Sequence, residues 1–169
     1  MEAATVGDEG LIGIEAFFHV NAIAPGESLL QVPDTNAEKM SVGAFHREVA
    51  LHGPFHDLMG QYARVTIAQL MQSSACNAAH NVEERCARWL LQTHDRMHQQ
   101  DFHLSQEFLA VMLGVRRQTV GVVAGTLQRA GLIRYTHGRV TVLDRQGLEA
   151  ASCECYHVIR KHFESIGLS

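Results

Sequence analysis

The stretch "LSQEFLAVMLGVRRQTVGVVAGTLQRAGLI", Leu104 to Ile133, sets two apolar helical patterns on either side of a single glycine. Ser105 is a good N-cap, and Leu104 with Leu109 has the spacing of a hydrophobic staple. Leu109, Met112 and Leu113 give the first helix one buried face before Gly114, which can take the left-handed conformation that ends a helix. From Arg117 to Ala130 the spacing predicts a second helix with Val120, Val123, Leu127 and Ala130 inside. Arg117, Gln118, Gly121, Val122, Gly125 and Arg129 are left largely outside. A short helix, a glycine turn and a second amphipathic helix make a helix-turn-helix. After Gly131 come two β-rich runs, Leu132 to Thr136 and Arg139 to Leu143, joined by His137-Gly138, which predicts a hairpin. Helix-turn-helix plus hairpin is a winged helix. Arg134, His137 and Arg139 fall on or near the wing, where they suit phosphate contacts.

Charge supports that assignment. The 169 residues carry a net charge of −4, yet residues 1–60 hold nine acids against Lys39 and Arg47, whereas residues 104–145 hold six arginines against Glu107 and Asp144. Nucleic-acid affinity depends on the local patch that meets the phosphates, so a mildly acidic chain with one basic segment is compatible with DNA binding. With 46% hydrophobic and 19% charged residues the chain has ordinary globular composition and suits one domain or two small ones. It has no apolar run of membrane-span length, and "MEAATVGDEG" lacks the basic start and apolar middle of a signal peptide, so a cytoplasmic protein without membrane contact is expected. Cysteines 76, 86, 153 and 155 are too few and too irregularly spaced for a disulfide-stapled scaffold and fit reduced thiols.

Upstream of the winged helix (81–169) the chain divides in two. Residues 1–53 are punctuated by "VGDEG", "NAIAPGE" and "QVPDTN", and the apolar runs Leu11–Ile14, Ala16–Val20 and Leu29–Val32 between them read as short strands. So few strands leave open edges that another element or chain must cover. Residues 54–80 read as one long helix, with Leu58, Met59, Tyr62, Val65, Leu70 and Met71 near helical spacing. Its apolar positions are generous for one face, so it either serves as a plain core helix or presents a seam to a second copy. Asn81 as N-cap and Glu84 three residues on form a capping box for "NVEERCARWLLQTHDRM", with Cys86, Trp89 and Leu90 on its buried side.

With these motifs the chain resembles the Crp/Fnr transcription regulators, which are cyclic-AMP-receptor-like. The match lies in "LSQEFLAVMLGVRRQTVGVVAGTLQRAGLIRYTHGRVTVLD", through the glycine turn, the R-x-T-V core, the "L-x-x-x-G-L-I" helix end and the wing; "VEERCARWLL" and residues 55–79 also look like that family's linking and dimerisation helices. "VGDEGLIGIEAFF" looks like the second half of its cyclic-nucleotide-type β-barrel. The resemblance implies an α+β fold: a partial barrel remnant at 1–53, a dimerisation helix at 54–80 and a winged helix-turn-helix at 81–169. It further implies a homodimer on a palindromic double-stranded operator, with RNA polymerase as a further partner. Helix 117–130 would enter the major groove and wing 132–143 would lie on the backbone. Base-reading positions carried over from the family fall on Arg117, Gln118 and Val122, beside Arg116 and Thr119. Arg117 can pair bidentately with guanine and Gln118 favours adenine, while Val122 stands where arginine is common and can touch only a thymine methyl. Arg116 replaces a usual serine or threonine cap. Where nucleotide-binding members hold the cyclic phosphate with arginine, "IAPGESLLQV" offers Glu27-Ser28, and a carboxylate repels phosphate, so a cyclic nucleotide is not expected.

Other chemistry is weaker. Cys76 and His80 lie one helical turn apart, which would suit a thiolate–imidazole couple. No third orienting group or oxyanion-hole motif accompanies them, so a buried thiol beside a histidine is preferred and neither catalytic residues nor an enzyme are expected. Cys153, Cys155, His157 and His162 are ligand types, but their spacing matches no zinc signature and positions 153 and 155 of a helix face different ways. No metal and no cofactor is therefore assigned. Beside the DNA-binding homodimer stands one alternative, a dimerisation partner that antagonises a full-length relative without binding DNA.

Overall fold

Pro54 has no amide hydrogen to leave unsatisfied at a helix start, and it opens the longest helix of the chain, running to Ala79. The computed structural model describes residues 3–19, 21–23, 26–31, 37–97 and 99–168. Within them, helix α1 spans Val42–Val49, α2 Pro54–Ala79 and α3 Val82–Met97; strand β1 covers Asp101–His103. Then follow α4 (Gln106–Leu113), α5 (Arg117–Arg129), β2 (Ile133–Thr136), β3 (Arg139–Val142), α6 (Arg145–Ala151) and α7 (Cys155–Glu164). The strands form one antiparallel sheet in the order β1-β3-β2. The class is α+β, as the sequence predicts.

At Asn81 the backbone passes from α2 into α3 through the capping box: the Glu84 amide donates to Asn81 Oδ1 at 3.0 Å and the Asn81 amide donates to Glu84 Oε2 at 3.3 Å. Helix α3 is the centre of the C-terminal half. All nine residues from Arg85 to Thr93 are buried, because α4, α5, α6, α7 and β1 surround it. Its Cys86, Trp89, Leu90 and Leu91 join Phe102, Leu104, Leu109, Leu113, Val120, Val123, Leu127, Ile133, Val140, Leu148 and Tyr156 in one core. Burial so complete takes polar side chains inside too, and they find partners: Arg85 donates to the Leu113 carbonyl at 3.2 Å and to Asn77 Oδ1 at 3.1 Å, satisfying an orphan acceptor at the end of α4. Burial also pushes the Cys86 thiol up to about 12, which leaves it an inert core group.

A second cluster joins the long helix to the end of the chain. Tyr62 and Val65 of α2 pack on Ile159 and Phe163 of α7, with Leu11, Ile14, Ile166 and Leu168 around them. Between α3 and α6, Arg145 donates to Asp95 at 2.6 Å, to the Tyr156 hydroxyl at 2.6 Å and to Glu149 at 3.1 Å, while Tyr156 donates to Asp95 at 2.9 Å.

The N-terminal segment corrects the sequence reading. No described residue of 1–53 forms a strand, so the expected strands at Leu11–Ile14, Ala16–Val20 and Leu29–Val32 are not found there, and with them the sheet of a partial barrel. Val20, Val32 and much of "QVPDTN" lie outside the described residues. Ile14–Phe17 is a 3-10 turn instead. A strand needs a neighbour to take its backbone groups, and at Leu11 they meet α2 instead: the amide donates to the Tyr62 hydroxyl at 3.0 Å, while the Glu9 side chain pairs with Arg96 of α3 at 2.8 Å. Leu11 and Ile14 pack against α2 and α7 rather than across a sheet, whereas Ile12, Phe18, Leu29 and Leu30 stay exposed.

Of the six residues expected at a dimer seam, Tyr62 and Val65 are buried within the chain by α7 and the N-terminal segment, so they are not available to a second copy. Leu58, Leu70 and Met71 are exposed and Met59 is half-buried; Ile67, not foreseen, is exposed beside them. Among the described residues no single helix is long and apolar enough to cross a membrane.

Candidate nucleic-acid interface

The two helices of the opening stretch form as their caps dictate. Ser105 Oγ accepts from the Phe108 amide at 3.1 Å and starts α4. Gly114, at φ 66° and ψ 35°, ends it in the left-handed region that favours glycine. The chain then turns, and the axis of α5 lies 102° from that of α4, within the range for a helix-turn-helix. Val120, Val123, Ala124 and Leu127 fasten α5 to the core. Ala130, expected on that buried side, is exposed, because the helix has ended at Arg129 and Ala130 is already its cap.

What α5 leaves outside is a polar entrance and an apolar middle. Arg116, Arg117 and Gln118 are exposed, Thr119 is half-buried, and Val122 is 65% exposed one turn further on. Gln106 and Gly121 complete an open groove with Arg116, Arg117 and Gln118 at the start of the helix. Arg116 as cap makes no side-chain capping bond, and its carbonyl accepts from the Thr119 amide at 2.9 Å and the Val120 amide at 3.3 Å. Glu107 of α4 pairs with the Arg117 guanidinium at 3.0 Å, with both side chains about two-thirds in solvent. Sequence spacing hides both Gln106 and Glu107, since they reach the groove only once α4 and α5 cross.

The wing is tied to this helix pair at several points. His137 (φ 50°) and Gly138 (φ 75°) both sit in the left-handed region, as a two-residue hairpin turn requires, and Thr136 pairs with Arg139 across it. The Leu104 amide donates to the Gly138 carbonyl at 2.6 Å, the Tyr135 hydroxyl to the Leu104 carbonyl at 2.9 Å, and the Tyr135 amide to Gln128 of α5 at 2.7 Å. Strand β1, which sequence patterning missed because it is only three residues long, widens the wing and brings Asp101 to Arg139 as an ion pair. Arg134, His137 and Arg139 are exposed. The structure therefore brings seven exposed sequence-expected residues, Arg116, Arg117, Gln118, Val122, Arg134, His137 and Arg139, onto the helix and wing of one winged unit, with half-buried Thr119 beside them.

That arrangement is one a known family model describes. Residues 84–151 match the Crp-like helix-turn-helix domain. The wider fold is similar to solved Crp/Fnr regulators. FixK2 from Bradyrhizobium japonicum superposes with a TM-score of 0.61 at 15% identity, over 66% of this chain and 59% of that one. A CRP/FNR-family transcriptional regulator from Thermus thermophilus gives 0.54 at 25% identity, over 59% and 55%. A crp/fnr-family regulator from Eubacterium rectale gives 0.52 at 18% identity, over 65% and 51%. The chain thus spans between half and three-fifths of the length of these relatives. No curated protein matches it. Within the matched residues, α4 and α5 are the two crossed helices and β2–β3 the wing, while α2, α7 and the N-terminal segment lie outside them.

Proposed function

We propose that this chain is a sequence-specific DNA-binding transcription regulator that acts as a homodimer. The observation that carries the proposal is the exposed Arg117-Gln118 pair at the N-terminal end of α5, on a helix that α4 and the core hold rigidly. That end of the second helix is the part that reaches base edges when such a motif enters the major groove. Arg117 would read a guanine, Gln118 an adenine and Val122 at most a thymine methyl, with Thr119 beside them. Arg116 and the wing residues Arg134, His137 and Arg139 would lie against phosphates and set register. The exposed apolar positions Leu58, Leu70 and Met71 of α2, with half-buried Met59, support a seam between two copies on a palindromic operator.

Two predictions test the phosphate and base contacts separately. Arg139→Ala should weaken binding to specific and random duplexes by the same factor and flatten the salt dependence. Three arginine contacts per protomer amount to about six phosphates per dimer, for a wild-type slope of log affinity against log salt of about −5 and a variant slope about two units shallower. A slope near zero in the wild type would reject DNA binding. Glu107→Gln should free Arg117 and remove a negative charge from the groove, raising DNA affinity about two- to fivefold, the worth of an exposed ion pair. Unchanged or weaker binding would show that Glu107 orients Arg117 rather than competing with DNA.

A second reading, a dimerisation partner that does not bind DNA, is favoured by Val122, which leaves an apolar side chain 65% exposed in the middle of the reading face. The salt titration separates the two.

A further inference from the structure

The end of α2, the α6–α7 junction and the start of α7 bring together groups that are far apart in sequence. Cys76, Cys153 and Cys155 are all buried, and their three sulfur atoms lie within 4.8 Å of one another, with Cys76 and Cys153 at 3.4 Å. His80, one turn beyond Cys76, offers a ring nitrogen within 4.8 Å of Cys155 Sγ. Nothing in the DNA-binding reading uses these four side chains.

We infer that Cys76, Cys153, Cys155 and His80 form a binding site for one zinc-class divalent ion, which fastens α7 to the end of α2. Three considerations carry this. First, the donor set is the soft sulfur and imidazole combination of tetrahedral Cys3His sites. Zinc–sulfur bonds of about 2.3 Å put the sulfurs of a tetrahedron about 3.8 Å apart, so the Cys76–Cys153 pair at 3.4 Å needs to open by only a few tenths of an ångström. Second, the surroundings are those of a ligand shell. Glu84 lies 3.3 Å from His80 Nδ1, so that a carboxylate can fix the ring and leave Nε2 toward the sulfurs, and the Gln72 amide donates to Cys155 Sγ at 3.0 Å. Glu154, 3.3 Å from Nε2, would yield that nitrogen to the ion.

Third, the charges balance. Three thiolates, a neutral imidazole and a divalent ion sum to one negative charge, and the fully buried Arg88 guanidinium lies close enough to act on Cys76. Ion binding releases the thiol protons to solvent and involves no oxidation. Sequence spacing conceals the site because Cys76 comes from a helix 77 residues before Cys153.

None of the four side chains belongs to α5 or the wing, so occupancy of the site is read without DNA. The full chain, reduced and stripped of metal, is titrated with Co2+ and then Zn2+. One Co2+ per chain should bind with thiolate charge-transfer and tetrahedral ligand-field absorption, and one Zn2+ should displace it. Cys86→Ser, which alters the separate thiol of the other core, should keep both signals, whereas Cys153→Ser should weaken binding more than tenfold and His80→Ala should shift the ligand-field bands. The inference is overturned if reduced wild-type chain takes up no ion with these bands, if the bands survive Cys153→Ser, or if Cys76 and Cys153 form a disulfide and bind no ion after reduction. Wild-type titration alone decides the matter should a variant fail to fold.

Discussion

Trp89→Ala should destabilise the chain by about 3–5 kcal/mol, measured as the drop in urea-unfolding free energy followed by far-ultraviolet circular dichroism. Trp89 is the only tryptophan, 1% exposed, in the middle of α3 and packed beside Phe108 at 6.2 Å between ring centres. Removing it opens a cavity that α4 and α5 cannot close without leaving their caps, since Ser105, Gly114 and the Arg85–Leu113 bond fix them from other sides. Against a total stability of about 5–15 kcal/mol for a small domain, such a loss removes from about a fifth to all of the folding free energy. Its indole Nε1 is buried with no hydrogen-bond partner among the described residues, so Trp89→Phe should recover most of the loss. A cost below about 1 kcal/mol for Trp89→Ala would mean that α3 is not the keel of the fold.

The second large effect is on binding. Arg117→Ala should lower affinity for the preferred duplex by about 1–3 kcal/mol, roughly 5- to 150-fold, and relax the choice at one base pair per half-site. Its loss on random duplex should be much smaller, the worth of at most one backbone contact per protomer. The difference follows from position. Arg117 is two-thirds exposed at the helix entrance and is held in the free protein only by Glu107, a weak surface pair that DNA can displace. Competition binding with specific and random duplexes at one salt concentration measures both numbers; equal losses on the two would remove Arg117 from the base-reading set.

Local chemistry made the helix-turn-helix and its wing legible. Ser105, Gly114 and His137-Gly138 each dictate a cap or a turn through one residue's own conformational preferences, so α4, α5 and the wing could be placed from sequence with errors of a residue or so, as at Ala130. The capping box at Asn81 and Glu84 was equally readable. What depends on distant partners was not. The apolar runs of residues 1–53 look like strands in isolation, but whether an apolar run pairs or packs is decided by its neighbours, and for Leu11 and Ile14 those are α2 and α7. Tyr62 and Val65 have the right spacing for a seam, yet α7 reaches them first. Strand β1 is too short to carry a period, and it exists because β3 offers it an edge. Helix α6 did carry a signal in Asp144, whose carboxylate accepts from the Gly147 amide at 2.9 Å. At the interface, the exposed arginines were visible in the charge pattern, whereas Gln106 and Glu107 enter only through the 102° crossing of α4 and α5.

Selection of bound duplexes from a random-sequence library, at near-physiological salt and with the mass of the folded full chain measured alongside, tests DNA reading most directly. A dimer should enrich a two-fold symmetric motif with half-sites about one helical turn apart, each holding a guanine whose preference fades in Arg117→Ala. A folded protein that enriches no motif would rule out sequence-specific binding by this chain.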